Sequence, residues 1–265
     1  MKKIIAWFFH FFKNKTIPKS DKHLFTLTKS KIDARDHYVV AIPTPVSYDD
    51  SQNFTVRNQG NVGDCGSFAS VNCLEEQNIL KSYKWPMQLS ELFHYWNVRQ
   101  PAYGNNFPAD TGQCGRDAMR VLYNIGVCPE KLWPYVEANV NKKPDLFCDS
   151  FARFWKIFEY AQCETIGQIK TAKSQDRSVW LGIPVQESIL SNKGEVIKWN
   201  YGVVPIGGHG MAVVGYDDNK RVIKCVNQWG ADWGENGFCY IDYDYINQCQ
   251  WSNGEKGIDC WAFVA

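Results

Sequence analysis

GHGMAVVGYDDNKRVIKCVNQW, residues 208–229, reads as two strands closed by a polar turn. Apolar and β-branched residues alternate on both sides of DDNK (217–220), the pattern of an antiparallel hairpin. The alternation puts His209, Met211 and Val213 on one face. A hairpin closing at that turn sets His209 opposite Asn227 or Gln228, about 5 Å across the ladder. An amide oxygen of Asn227 at that distance accepts an imidazole N–H and fixes the ring, leaving the other ring nitrogen for proton transfer. The alternative for Asn227 is a strand-end residue bonded to its own turn.

Outward from this hairpin the second half keeps the same character. SVWLGIPVQES (178–188) and GFCYIDYDYI (237–246) carry further strand signals, and a helix is expected near 165–175. The first half differs. Residues 65–82 have apolar side chains at Phe68, Val71, Leu74 and Leu80, a helical period. LSELFHYWNVRQ (89–100) and GRDAMRVLYNIGV (115–127) read as two more helices, with Gly126 as a C-cap and Pro129 as a stop. A helical half followed by a β half implies a cleft between them, and such clefts favour ligands.

NQGNVGDCGSFAS (58–70) starts the first helix with a thiol. Asp64 is expected to cap the helix with its carboxylate. Cys65 then faces the positive end of the helix dipole, which lowers a thiol pKa, while the Asp64 charge opposes the effect. A nearby imidazole would decide the balance. Of the five histidines, His94 lies in the apolar face of LSELFHYW and reads as a packing residue, whereas His209 begins a strand. Gln59, in the turn-like NQGNVG, can join the Cys65 backbone N–H as a donor to an oxyanion.

The composition bounds the partners. With 265 residues, 45% hydrophobic and a formal net charge of +1, the chain is globular and lacks the basic surplus that nucleic-acid binding needs. The ten cysteines show no zinc-type spacing. Cys225 and Cys239 sit in apolar runs and read as inert thiols; Cys249 and Cys260 flank a loop and are candidates for a disulfide. The start, MKKIIAWFFHFFKNK, has a basic tip and an apolar run over 4–12, about half of a bilayer span. It allows membrane contact or secretion, and equally a docked terminus, so localisation stays open; so does oligomeric state. The N-x-[ST] matches at Asn14 and Asn53 add little.

QGNVGDCGSFA (59–69), GGHGMAVVGYDD (207–218) and NQWGADWGENGFCYI (227–241), in this order, resemble the papain-like cysteine proteases. LSELF, GRDAM and GVCPEKLWPY look like the helical lobe of that family's shorter microbial and viral-type members. The resemblance covers about residues 45–264 and implies an α+β, two-lobed papain-like fold. Residues 1–44 would be an apolar segment and extended lead-in, and 45–265 the peptidase domain. Within it a mainly helical lobe spans about 58–150, and an antiparallel β-barrel-like lobe about 151–265. The implied activity is peptide-bond hydrolysis through a Cys–His pair and an acyl-enzyme, on peptide or protein substrates, with no metal or organic cofactor. Cys65 would be the nucleophile, His209 the general base and acid, Asn227 its orienting partner, and Gln59 an oxyanion donor. Trp229 would shield the His–Asn pair, and Gly112, Gln113, Gly66 and Gly208 would line the substrate path.

The departures from the pattern are Val62 and Asp110 in place of a disulfide pair, Gly66 for Trp, Gln113 for Gly and Gln228 for Ser. The last three motivate a rival reading, a peptide-binding module with weak turnover; a further alternative is an acyl transferase or ligase using the same residues. The stretch before Gln59 is too short for the long inhibitory propeptide of the larger members, which leaves the restraint on activity open.

Overall fold

The computed structural model describes residues 24–81, 87–103 and 110–265; the apolar stretch 4–12 and Asn14 lie outside them. The α-helices are α1 (Cys65–Leu80), α2 (Glu91–Tyr103), α3 (Gly115–Asn124), α4 (Leu146–Ala152), α5 (Ile166–Ser174) and α6 (Tyr243–Gln248). The strands are β1 (Ser47–Asp49), β2 (Glu159–Gln162), β3 (Ser178–Val185), β4 (Val196–Ile197), β5 (Gly207–Asp217), β6 (Val222–Val226), β7 (Phe238–Asp242) and β8 (Asp259–Val264). They form one sheet in the order β2-β8-β3-β5-β6-β7-β4, with β1 also paired to β5. Only the β4–β7 pairing is parallel among the described strands. The class is α+β, as expected. The barrel-like expectation is corrected: the sheet is mixed and open, because no ladder joins its short end strands β2 and β4.

Both faces of the sheet are covered. Strand alternation sends Trp180, Ala212, Val214, Trp261 and Phe263 to one face, where they pack with Ala69, Val71 and Leu74 of α1. It sends Val179, Leu181, Ile183, Met211 and Val213 to the other, against Ile169 and Ala172 of α5 and Tyr245 and Ile246 of α6. Helix α1 is buried from Cys65 through Asn78. Its polar residues therefore require partners, since an unpaired buried charge is costly. Glu75 is bound by Arg57 at 2.6 Å and by the Leu89 N–H at 2.7 Å. Glu76 meets Lys173 of α5 at 2.8 Å, and Lys173 also meets Asp50 at 2.7 Å. This buried triad pins α1 to the far layer.

Two local expectations are corrected. Residues 243–246 are helical instead of extended: the Asp242 carboxylate accepts the Asp244 N–H at 2.7 Å and starts α6. The β5–β6 hairpin also closes later than expected. Asp217 pairs with Val222, Arg221 takes a positive φ of 57°, and the register shifts between Val213 and Gly215. The ladder ends at Ala212↔Val226, so Asn227 leaves it and reaches His209 through its side chain alone. All ten cysteines are free thiols. The Cys260 carbonyl accepts the Cys163 N–H, while Cys249 turns its sulfur toward the Ile246 carbonyl at 3.9 Å, so the suggested Cys249–Cys260 bridge is absent.

Lys173→Ala leaves Glu76 and Asp50 buried without a cation. A loss of about 3–5 kcal/mol is expected, read by urea unfolding; a loss below about 1 kcal/mol, the value of a surface pair, would show that the triad does not brace α1.

Candidate active site

Cys65 is the first residue of α1, and the helix end is pressed onto β5. A Cβ on Gly210 would come within 3.0 Å of the Gly66 Cα, so glycine at 210 permits the approach. The Gly66 carbonyl accepts the Trp180 indole N–H at 2.9 Å. The Gly210 N–H in turn points at the Cys65 sulfur, 3.4 Å away. Strand β5 thus meets the start of α1 at Gly210, with His209 one residue before it.

The His209 Nε2 lies 2.8 Å from the Asn227 Oδ1. That atom also accepts the Gln228 backbone N–H at 2.9 Å, which fixes it as the oxygen of the amide. His209 Nε2 is therefore the donor to Asn227. The Trp229 ring tilts over the imidazole with centroids 4.7 Å apart. Gln59 is buried in the loop leading to Cys65; its Nε2 donates to the Val62 carbonyl at 2.7 Å, and its backbone N–H donates to the Gln228 carbonyl at 2.9 Å. His94 is a packing residue as expected, with Nδ1 2.9 Å from the Ser67 Oγ.

The Asp64 expectation needs correction. Its side chain makes no cap bond; the Tyr135 hydroxyl donates to it at 3.3 Å, and its backbone carbonyl accepts the Ser67 and Phe68 N–H groups. Burial raises its pKa well above the usual carboxyl value, and its charge acts to raise the Cys65 thiol, as anticipated. Burial also pushes the Cys65 thiol up to about 12, against a smaller downward pull from the Gly210 N–H.

That burial has a specific source. Cys65, His209 and Asn227 are 0%, 1% and 1% exposed, and residues 25–28 of the lead-in lie over them as a strap. Thr26 pairs in parallel with Gly208, and the Gly208 N–H donates to the Phe25 carbonyl at 3.3 Å. The Phe25 ring meets His209 and Trp229 edge-on at 6.0 and 5.8 Å. On the opposite bank the Thr28 N–H donates to the Gln113 carbonyl at 3.0 Å, and the Thr26 hydroxyl donates to the Gly63 carbonyl at 3.2 Å. Gly112, with a φ of 69°, lies so close that a Cβ there would fall 2.1 Å from the Thr26 carbonyl oxygen. Nothing in the local pattern of FTLT marks it as a strap, because a single parallel pairing has no periodicity.

A family model for the papain family of cysteine proteases matches residues 43–256. The chain belongs to the papain family. An uncharacterized peptidase C1-like protein of Acanthamoeba polyphaga mimivirus is 28% identical over 204 residues, covering 71% of this chain and 64% of that protein. Pro-cathepsin H of Mus musculus is 24% identical and the match covers 71% of this chain and 56% of that one. The chain thus spans about half to two thirds of the length of such curated relatives. The solved structure of xylellain, a cysteine protease from Xylella fastidiosa, superposes with a TM-score of 0.81 at 27% identity, covering 94% of this chain and 99% of that one.

Seen against the papain pattern, the departures compensate one another. The Gln113 amide fills the space over Gly66, 2.4 Å from where a Cβ would stand, so a side chain at 66 and Gln113 exclude each other. Asp110, in place of a bridging cysteine, accepts the Gly63 N–H and the Tyr95 hydroxyl, and the Tyr95 oxygen accepts the Gly112 N–H at 2.8 Å. The two loops beside Cys65 are joined by a carboxylate instead of a disulfide. Asp110→Ala should cost about 1–3 kcal/mol and double or more the rate of amide hydrogen exchange at Gly63. Exchange unchanged at Gly63 would mean the carboxylate does not hold the loop.

Proposed function

We propose that the protein is a cysteine peptidase that hydrolyses peptide bonds through Cys65 and His209. The observation that carries this reading is the His209 Nε2–Asn227 Oδ1 bond of 2.8 Å on the strand whose next N–H meets the Cys65 sulfur. With Nε2–H committed to Asn227, Nδ1 takes the Cys65 proton and the thiolate attacks the scissile carbonyl carbon. The carbonyl electrons move to oxygen, where the Cys65 backbone N–H and the second amide proton of Gln59 are the donors in reach of that loop. Collapse of the intermediate expels the amine, which takes the proton from Nδ1 and leaves a thioester on Cys65. Water then loses a proton to Nδ1 and attacks the thioester; the acyl C–S bond breaks, the acid leaves, and the Cys65 sulfur regains the proton from Nδ1. Trp229 keeps bulk water from the His209–Asn227 bond.

The strap adds a latent state to this reading. Residues 25–28 lie along Gly112, Gln113 and Gly208, the positions expected to meet substrate, and they bury the sulfur where the thiol stays protonated. Substrate must displace a tethered competitor, whose effective concentration is in the millimolar range for a short link.

Two outcomes are expected. Cys65→Ala abolishes hydrolysis of a peptide library, and iodoacetamide at pH 6 labels Cys65 well ahead of the other nine cysteines once the strap is open; equal labelling of all ten would favour a binding module, and acyl transfer to an added amine would favour a ligase. Replacing Phe25 by Ala and Leu27 by Asp should raise both hydrolysis and Cys65 alkylation at neutral pH by roughly tenfold or more, since exposure lowers the thiol pKa. Rates unchanged in that variant would remove the strap from the account.

A further inference from the structure

Gln228 stands where the papain pattern has Ser, and its side chain is used. It is 4% exposed, and its Nε2 lies 2.8 Å from the Gly210 carbonyl and 3.4 Å from the Cys65 carbonyl. The two amide hydrogens are thus directed to the first residue of α1 and to the residue after His209. The backbone of Gln228 completes the set: its N–H goes to Asn227 Oδ1 and its carbonyl takes the Gln59 N–H. One residue touches the backbone or side chain of Cys65, Asn227 and Gln59 and the strand bearing His209.

We propose that Gln228 is a positioning residue for the peptidase chemistry, its amide spanning helix α1 and strand β5 so as to fix the spacing of Cys65 and His209. The proposal rests on the peptidase reading above. A serine is too short to make both bonds from this backbone, so the tie belongs to this chain.

A second effect follows from the same geometry. Gln228 Nε2 is 3.3 Å from His209 Nε2, and the latter already donates its proton to Asn227. The contact therefore sets two N–H-bearing atoms side by side, with the positive end of the amide dipole against the ring. This opposes the imidazolium form. The titratable neighbours are the Cys65 thiol and, acting on it from α1 and the 110–113 loop, Asp64 and Asp110. Phe25, Trp229 and Asn227 face the ring without formal charge. None of these is altered by substitution at 228.

The test compares wild type with Gln228→Met, which keeps the volume and removes the donors, and Gln228→Glu, which keeps the shape and reverses the charge. Each is made in the full chain, with and without Leu27→Asp to open the strap. For peptide hydrolysis, kcat should fall roughly 10- to 100-fold, as misplacement of reacting groups does, with KM within about twofold. The alkaline limb of the kcat/KM profile should move upward in Met and further in Glu, because His209 keeps its proton longer. A purely structural role would lower activity without moving that limb, and a limb unmoved in both variants overturns the proposal. The peptidase reading fails separately, if wild type shows no Cys65-dependent hydrolysis. The same limb is then read from the pH dependence of Cys65 alkylation, where identical profiles for the three proteins overturn the role of Gln228.

Discussion

Helix α1 starts against strand β5 at a contact where a Cβ on Gly210 would press on the backbone of Gly66. Gly66 and Gly210 bring the two backbones together, and the Gly210 N–H meets the sulfur of Cys65. Most of the remaining structure holds this contact in place. Helix α1 is buried along nearly its whole length, and burying so much helix obliges its polar residues to find partners: Arg57 for Glu75, Lys173 for Glu76. The first pair also holds Glu91 of α2, and the second reaches the layer beyond the sheet, so α1 is braced from both directions.

The site itself is a chain of directed hydrogen bonds. The Gln228 N–H identifies the Asn227 oxygen, and the Asn227 oxygen orients His209 Nε2. Each step follows from the one before through hydrogen-bond direction alone. The departures at Gly66 and Gln113, which read separately as losses, form one exchange of volume in which the glutamine amide stands over the glycine.

Much of this was legible in the chain. Glycines around His209, alternation into Val-Gly-Tyr and the Asn-Gln-Trp-Gly turn carried the strand and its partner, and the small residues around Cys65 carried the helix start. The proximity of His209 and Asn227 was recovered although the hairpin register was not, because Asn227 reaches across with its side chain while a bulge and the positive φ of Arg221 displace the ladder. The helix at Tyr243 was hidden by its aromatic residues, yet Asp242 followed by Asp244 was a readable cap. Asp64 failed as a cap because its surroundings are buried and Tyr135 takes its carboxyl, which no local pattern reports. The strap and the Asp110 tie were invisible for the same reason: each joins positions far apart in the chain through one or two bonds.

The Asp110 tie has a chemical corollary. On the peptidase reading Cys65 works only while it is kept reduced, and the reductants that keep it so also attack sulfur–sulfur links elsewhere in a protein. Here the loop beside Cys65 is fastened by a carboxylate to a backbone N–H and a phenol, groups that thiol reductants leave untouched. The surroundings that preserve the sulfur therefore do not loosen its cradle.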